Sequence, residues 1–159
     1  GAAMAAELTA FVPAEDGAAA CWQRIYDEAH LAAHPDQQVT AMTFLMTFYR
    51  YEAEDPGLHY FGLDVALRDG RTGTASGGCY AYEGEVRCGV DCDGGGLGVS
   101  LRDDGSLLAD LEAYGYIVVE SGCGGGKGVT YSLEPGLDDK QFLLAPAQAK
   151  VCKALLPKW

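Results

Sequence analysis

Three side chains near the N-terminus have the types and spacing of a metal site. Asp27, His30 and His34 occupy positions i, i+3 and i+7, which lie on one face of an α-helix. One carboxylate and two imidazoles are common zinc ligands, so this face is a candidate site for a metal-dependent hydrolase. The general-base Glu of a metalloprotease helix is missing, because Leu31 follows the first histidine. The competing interpretation is structural, since histidines favour the C-terminal end of a helix.

A second candidate site is a β-hairpin whose turn is formed by Glu83 and Gly84. This turn predicts four opposed pairs, which are Tyr82 with Glu85, Ala81 with Val86, Tyr80 with Arg87, and Cys79 with Cys88. The two cysteines then fall on a non-hydrogen-bonded pair, where Cα atoms about 4.5 Å apart suit a disulfide. The two tyrosines, Glu85 and Arg87 project from the opposite face of the hairpin. Exposed tyrosines on a rigid hairpin favour binding, although a solvent-facing cross-strand ladder has the same pattern.

Six cysteines indicate three disulfides and an oxidising compartment, so we expect a periplasmic or secreted protein. The hairpin predicts Cys79–Cys88, and the two ends of the chain suggest Cys21–Cys152, which leaves Cys92–Cys123. The Cys21–Cys152 bridge would close the longest loop and constrain the unfolded chain most, by roughly 4–5 kcal/mol. A cytosolic protein with reduced thiols and a zinc-thiolate site are the alternatives.

Motifs for nucleophilic or phosphate chemistry are missing from the sequence. No serine lies in a Gly-x-Ser-x-Gly elbow, and the Gly-rich segment 121–127 lacks the spacing of a P-loop. The Asp-rich segment 91–96 lacks the ordered carboxylates of an EF-hand. We therefore expect no cofactor and, on balance, no enzyme.

The charge of the chain restricts the kind of partner. The sequence has 23 Asp and Glu against 11 Lys and Arg in 159 residues, a formal net charge of −12. A nucleic-acid binder needs a basic surface that displaces counterions, which this chain lacks. The longest apolar runs are too short to span a membrane. A basic protein or a cationic ligand is the natural partner.

The hydrophobic pattern predicts one all-β domain over residues 1–159, with an irregular segment at 1–15. We expect a helix over 17–33, with Asp16 as its N-cap, because apolar residues recur there at helical spacing. About eight strands with two-residue alternation follow, separated by Gly-rich turns, and a short helix over 147–155 ends the chain. This count is typical of an antiparallel barrel or a barrel-like sandwich.

These features favour a secreted or periplasmic non-enzymatic binding protein for a basic partner, such as a cell-wall-degrading enzyme. In size, acidity and disulfide content the chain is similar to small secreted β-barrels that inhibit bacterial-wall lysozymes, but it lacks their inhibitory-loop motif. A small apolar ligand inside the barrel is one alternative. One strand carries small residues that would leave space for such a ligand, namely Ala75, Gly77, Cys79 and Ala81. Three phenylalanines could fill that space instead, namely Phe44, Phe48 and Phe61. The metal-dependent hydrolase is the other alternative.

Overall fold

Antiparallel strands dominate the structure, a computed structural model that describes residues 8–121 and 129–157. In chain order the strands are β1 Ala19–Ile25, β2 Val39–Tyr49, β3 Leu58–Leu67, β4 Thr72–Tyr82, β5 Glu85–Gly89, β6 Gly96–Leu101, β7 Leu107–Asp110, β8 Ile117–Ser121, β9 Val129–Leu133 and β10 Gln141–Ala147. The helices are α1 Glu28–Ala33 and the 3-10 helices η1 Leu111–Ala113 and η2 Ala149–Leu155, with a further helical turn at residues 8–11.

Eight of the strands close into a barrel. They follow the order β3-β2-β1-β10-β7-β6-β5-β4, and the pairing of β3 with β4 completes the ring. The hairpin of β8 and β9 lies outside the ring and joins β4, where Glu120 pairs with Thr74. The predicted all-β antiparallel barrel is therefore confirmed.

Aromatic and aliphatic side chains fill the barrel from alternate positions of its strands. The Phe44 ring stacks on the Phe61 ring with centroids 5.9 Å apart, and Trp22 contacts Phe44 from a centroid distance of 6.2 Å. One contiguous cluster links these rings to the other inward side chains. Burial of this apolar surface is the main force that stabilises the barrel.

The N-terminal region differs from its prediction. The helix expected over 17–33 is confined to Glu28–Ala33, and Ala19–Ile25 forms β1, which pairs with β2 and β10. Cys21 and Trp22 point to opposite faces of β1, yet both are buried, one outside the barrel and one inside. Because both faces of β1 are buried, adjacent positions are both apolar, and this pattern resembles the apolar spacing of a helix. The segment expected to be irregular also contains the helical turn at residues 8–11.

Helix α1 has a different cap from the one expected at Asp16. The Asp27 carboxylate accepts a hydrogen bond from the His30 amide at 2.7 Å and caps the helix. Asp16 instead accepts a hydrogen bond from the amide of Arg50 at 2.9 Å. The change of N-cap shortens the helix to six residues.

The predicted register of the β4–β5 hairpin is confirmed, and the β6–β7 hairpin is equally regular. In the β4–β5 hairpin, Cys79 lies opposite Cys88 and Tyr80 opposite Arg87. The turn residues Glu83 and Gly84 both have positive φ, at 47° and 82°, as a two-residue hairpin of the I′ type requires. In the β6–β7 hairpin, Leu101 lies opposite Leu107 across a three-residue loop.

The short C-terminal helix is present as η2 and packs on the outside of the barrel. The Cys21–Cys152 disulfide joins it to β1, with the two Cα atoms 5.8 Å apart. Leu155 extends this contact and, with both cysteines, covers Leu45 on the outer face of β2. This predicted bridge is therefore present, and it fixes the last turn of the chain against the barrel wall.

Candidate functional site

The outer side of the β4–β5 hairpin gathers three tyrosines around one arginine. Tyr80, Tyr82, Glu85 and Arg87 project from it as predicted, and Tyr114 joins them from the end of η1. We call these five side chains the tyrosine face. Tyr80 and Tyr82 are 42% and 43% exposed, so solvent reaches a large part of both rings.

Arg87 occupies the centre of the tyrosine face. Its guanidinium carbon lies 4.6 Å from the ring centroid of Tyr82 and 5.6 Å from that of Tyr114. One guanidinium nitrogen lies 3.5 Å from the carboxylate of Glu85. Cation–π contact and this ion pair restrain the long side chain, which in turn fixes the orientation of both rings. The arrangement presents preordered aromatic surface, which lowers the entropy cost of binding.

The phenols of Tyr80 and Tyr114 share a hydrogen bond across the face. Partial burial, and then the hydrogen bond and charge of the Tyr80 phenol, raise the pKa of the Tyr114 phenol, while Arg87 acts in the opposite direction. The Tyr114 phenol therefore remains neutral at physiological pH and keeps hydrogen-bonding capacity for a ligand.

Tyr114 is the member of the face that the sequence did not reveal. It is 34 residues away from Tyr80 along the chain and meets it through the barrel topology. Its ring lies on two glycines, because an ideal Cβ on Gly96 would be 2.8 Å from Tyr114 Cε2 and one on Gly89 would be 3.0 Å from its hydroxyl. Glycines at both of these paired strand positions are the signal that an aromatic ring covers the sheet here.

The tyrosine face has a rigid support. On the reverse side of the same hairpin, the Cys79–Cys88 disulfide points into the core, and both cysteines are buried. This bridge agrees with the prediction. Cys92 is exposed and bonds to no described cysteine, and its expected partner Cys123 lies outside the described residues.

Carboxylates are frequent in the segment that supplies Tyr82, Glu85 and Arg87. Segment 82–93 carries four carboxylates and a single cation, Arg87. Glu83, Glu85, Asp91 and Asp93 are all exposed. Because Glu85 already pairs with Arg87, the remaining charge of this segment is negative. This arrangement is complementary to a basic partner.

The Asp27, His30 and His34 side chains lie together, but each contacts a different protein atom. His30 Nε2 lies 2.9 Å from Oε1 of Gln37, and His34 Nδ1 lies 2.8 Å from the carbonyl oxygen of His30. The two imidazoles stack with ring centroids 4.2 Å apart. Arg68 covers the end of the helix by donating to the carbonyls of Leu31 and His34. We call Asp27, His30, His34, Gln37 and Arg68 the histidine face.

The histidine face does not have the geometry of a metal centre. Asp27 is occupied as the N-cap of α1, and the histidine nitrogens named above face an amide and a carbonyl rather than a shared point. Within residues 8–121 and 129–157, no group of three or more His, Cys, Asp or Glu side chains is placed to hold a metal ion. These contacts give the hydrolase alternative no support.

The interior positions relevant to an apolar ligand are occupied by side chains. An ideal Cβ on Gly77 would lie 3.3 Å from the Phe61 ring, so the phenylalanine fills the space above the small residues of β4. A separate cleft of about 340 Å³ lies beside the helical turn at residues 8–11. Its apolar lining comprises Phe11, Val86, Val99, Leu101 and Leu108.

Comparisons with other proteins provide no relative for this chain. No known family model matches it, and neither the curated proteins nor the solved structures gave a significant match. Across the described residues, no helix has the length and apolar character needed to cross a membrane. We therefore infer function from the geometry and charge of the sites themselves.

Proposed function

We propose that this protein is a non-enzymatic binding protein of the periplasm or cell exterior, and that its tyrosine face engages a basic partner protein. The supporting observation is the pair of exposed tyrosine rings, Tyr80 and Tyr82, held with Arg87 on a disulfide-bonded hairpin. Tyrosine and arginine are the residues that most often dominate binding energy at protein interfaces. Ordered rings contribute this energy with little loss of conformational entropy on association.

The charge distribution supports a basic partner rather than an acidic one. The chain has a formal net charge of −12, and segment 82–93, which supplies three members of the tyrosine face, carries four carboxylates against one arginine. A positively charged surface would be steered toward this region, and its association would slow as salt screens the charges. A cell-wall-degrading enzyme with a basic surface has the required chemistry.

The proposed location follows from the covalent bonds of the fold. Disulfides Cys21–Cys152 and Cys79–Cys88 are both present, and such bridges persist in oxidising compartments. Their presence supports the periplasm or the cell exterior as the place where the binding partner is met.

Titration against two basic proteins tests the proposal. Wild-type protein is titrated by calorimetry with a basic lysozyme and with cytochrome c of similar charge, at low and high salt. We expect binding to the lysozyme that weakens with salt, and a loss of about tenfold in affinity for Tyr82→Ala, as for a tyrosine at the centre of an interface. Leu137→Ala, a change at a 76% exposed side chain outside the tyrosine face, is the control. Equal affinities for wild type and Tyr82→Ala would contradict the proposed role of the face.

A small apolar ligand is a second candidate, favoured by the cleft beside residues 8–11. Its volume of about 340 Å³ is at the lower end of the range for small-molecule pockets. Titration with a fluorescent apolar probe such as anilinonaphthalene sulfonate tests this function. Saturable binding that Leu108→Gln weakens would support it, and emission unaffected by that change would exclude the cleft.

A further inference from the structure

A groove of about 560 Å³ lies on the outer face of the barrel, between η2 and strands β2 to β4. Its lining includes Leu155, Leu156 and Pro157 from η2 and the segment after it, and Tyr51, Tyr60 and Asp91 from the strands and loops of the barrel. One long wall is therefore aliphatic, and the side toward the tyrosine face carries two phenols and a carboxylate.

The groove is built by the way in which η2 is attached. The Cys21–Cys152 disulfide holds η2 on the outside of β1, and Leu155 rests on the bare backbone of Gly62, where an ideal Cβ would be 3.0 Å from the leucine Cβ. Across the groove, the outward-facing position of β4 is occupied by the small side chain of Ser76. These small residues leave space that a larger side chain would fill.

The groove has a negative electrostatic character. Asp91 is the single carboxylate among its lining residues, and no lysine, arginine or histidine occurs among the described residues that line it. Burial, followed by the Tyr51 phenol and the carboxylates of Asp91 and Asp55, raises the pKa of the Tyr60 phenol. Asp91 and Asp55 are therefore both close enough to Tyr60 to contribute negative potential at its phenol, which lines the groove.

The groove continues the tyrosine face. Tyr60 on β3 pairs with Gly78 on β4, and Tyr80 is two residues further along the same side of β4, a step of about 7 Å. No atom lies within 4 Å of an ideal Cβ on Gly78, so the surface between the two regions is open. A partner that covers Tyr80 therefore reaches the groove without a break in contact.

We propose that this groove receives a lysine side chain of the basic partner, together with its flanking backbone. The inference rests on the proposed function, since it names the chemical group of that partner which enters beside the tyrosine face. The aliphatic wall of Leu155, Leu156 and Pro157 accommodates the methylene stem, and the ammonium ends near Asp91 and the phenol rings. The lysine ammonium is a compact charge on a flexible four-carbon stem, so it can follow the aliphatic wall and reach Asp91 without the fixed orientation that a bidentate arginine–carboxylate pair requires.

Nuclear magnetic resonance titration with two short peptides tests the groove directly. The probes are acetyl-Gly-Lys-Gly-amide and acetyl-Gly-norleucine-Gly-amide, which has the same stem without the charge. We expect the lysine peptide to shift the amide signals of residues around Tyr60, Ser76 and Leu155, and the norleucine peptide to leave them unchanged. Equal shifts with both peptides, or none with the lysine peptide at tens of millimolar, would overturn the proposal, as would stronger shifts from the arginine analogue.

Two variants test whether the Asp91 carboxylate is the group that binds the lysine peptide. Asp91→Asn is expected to weaken binding of the lysine peptide by about three- to fivefold, the range of a partly exposed ion pair. Asp93→Asn makes the same change in net charge two residues away, outside the groove, and is expected to leave affinity within about twofold. Equal effects of the two changes would reject a specific role for Asp91.

A third variant blocks the space without changing charge. Ser76→Phe places a ring in the groove at a strand position that tolerates aromatic residues, so we expect loss of peptide binding with an unchanged melting temperature. Persistent binding by this variant would place the peptide elsewhere.

The same experiments separate the groove from the tyrosine face. If the basic lysozyme fails to bind while the lysine peptide still occupies the groove, the proposed partner is wrong and the lysine site stands. If the lysozyme binds through Tyr82 but Asp91→Asn has no effect on either ligand, the proposed function stands and the lysine site is rejected.

Discussion

The histidine face and the tyrosine face both combine aromatic rings with charged groups, but their polar groups have different partners. On the histidine face, His30, His34 and Arg68 are held by hydrogen bonds of 2.7–2.9 Å to an amide side chain and to backbone carbonyls. On the tyrosine face, internal contacts fix Arg87, while the rings of Tyr80 and Tyr82 remain more than 40% exposed. The residue types suggested a binding site at both places. Polar groups that already bond to protein atoms indicate a structural cluster, whereas side chains exposed to solvent can contact a partner.

The largest expected effect in this comparison is on stability at the histidine face. Arg68 donates hydrogen bonds of 2.7, 2.7 and 2.9 Å to the carbonyls of Gln37, Leu31 and His34. Removing the guanidinium leaves these carbonyls without their charged donor, so Arg68→Ala should lower the free energy of unfolding by about 2–3 kcal/mol. Urea denaturation measures the change.

Arg71→Ala is the control for Arg68→Ala. Arg71 pairs with Asp69 at the surface, where both side chains are more than half exposed, and should contribute less than about 0.5 kcal/mol. Binding of the basic lysozyme should be the same for both variants. A specific loss of binding in Arg68→Ala would show that the histidine face also contacts the partner.

A smaller effect is expected at the start of α1. The Asp27 side chain caps the helix through the amide of His30, and replacing an N-cap carboxylate with alanine costs about 1 kcal/mol. Asp27→Ala should therefore lower the unfolding free energy by about that amount, whereas Asp36→Ala, at an exposed position after the helix, should have little effect. Zinc bound by the wild type and lost from Asp27→Ala in parallel metal analysis would instead support the metal alternative.

The smallest effect is a pH dependence on the tyrosine face. Because the pKa of Tyr114 is raised in the folded state, the folded protein keeps a proton that the unfolded chain releases. Stability from this source is therefore constant below the unfolded value of about 10 and falls as the pH rises above it. Tyr80→Phe removes the hydrogen bond and charge of the Tyr80 phenol and should make the fall shallower.

Chemical denaturation at a series of pH values between about 8 and 11 measures this slope. Tyr82→Phe is the matched control, because it removes a phenol from the same face but no hydrogen bond to Tyr114. If Tyr80→Phe and Tyr82→Phe changed the slope equally, the coupling between Tyr80 and Tyr114 would be rejected.

Local sequence signals were sufficient for the part of the site that lies on one hairpin. A two-residue turn and symmetric cysteines fixed the register of β4 and β5, and strand alternation then placed Tyr80, Tyr82, Glu85 and Arg87 on one side. Repeated alternation between Gly-rich turns predicted an antiparallel barrel or a barrel-like sandwich, and the β3–β4 pairing shows that the barrel is closed. These inferences needed only contacts between residues close in the chain.

The remaining features depend on contacts between distant segments. Strand β1 has a helix-like apolar pattern because η2 buries Cys21 from outside while the core buries Trp22 from inside. Tyr114 and the groove beside Leu155 arise in the same way, from segments that meet only after the barrel closes. The apolar periodicity of one segment does not show which distant segment will pack against it, so these features could not be predicted from the sequence.

A nuclear magnetic resonance titration of labelled protein with unlabelled basic lysozyme tests the central claim most directly, since it reports on both faces at once. The account predicts that amide signals of β4 and β5, above all those flanking Tyr80 and Tyr82, shift or broaden at low salt and recover at high salt. Signals of α1 and of Arg68 should stay unchanged throughout. Perturbation centred on α1, with an unaffected β4–β5 hairpin, would contradict the assignment of the tyrosine face as the binding surface.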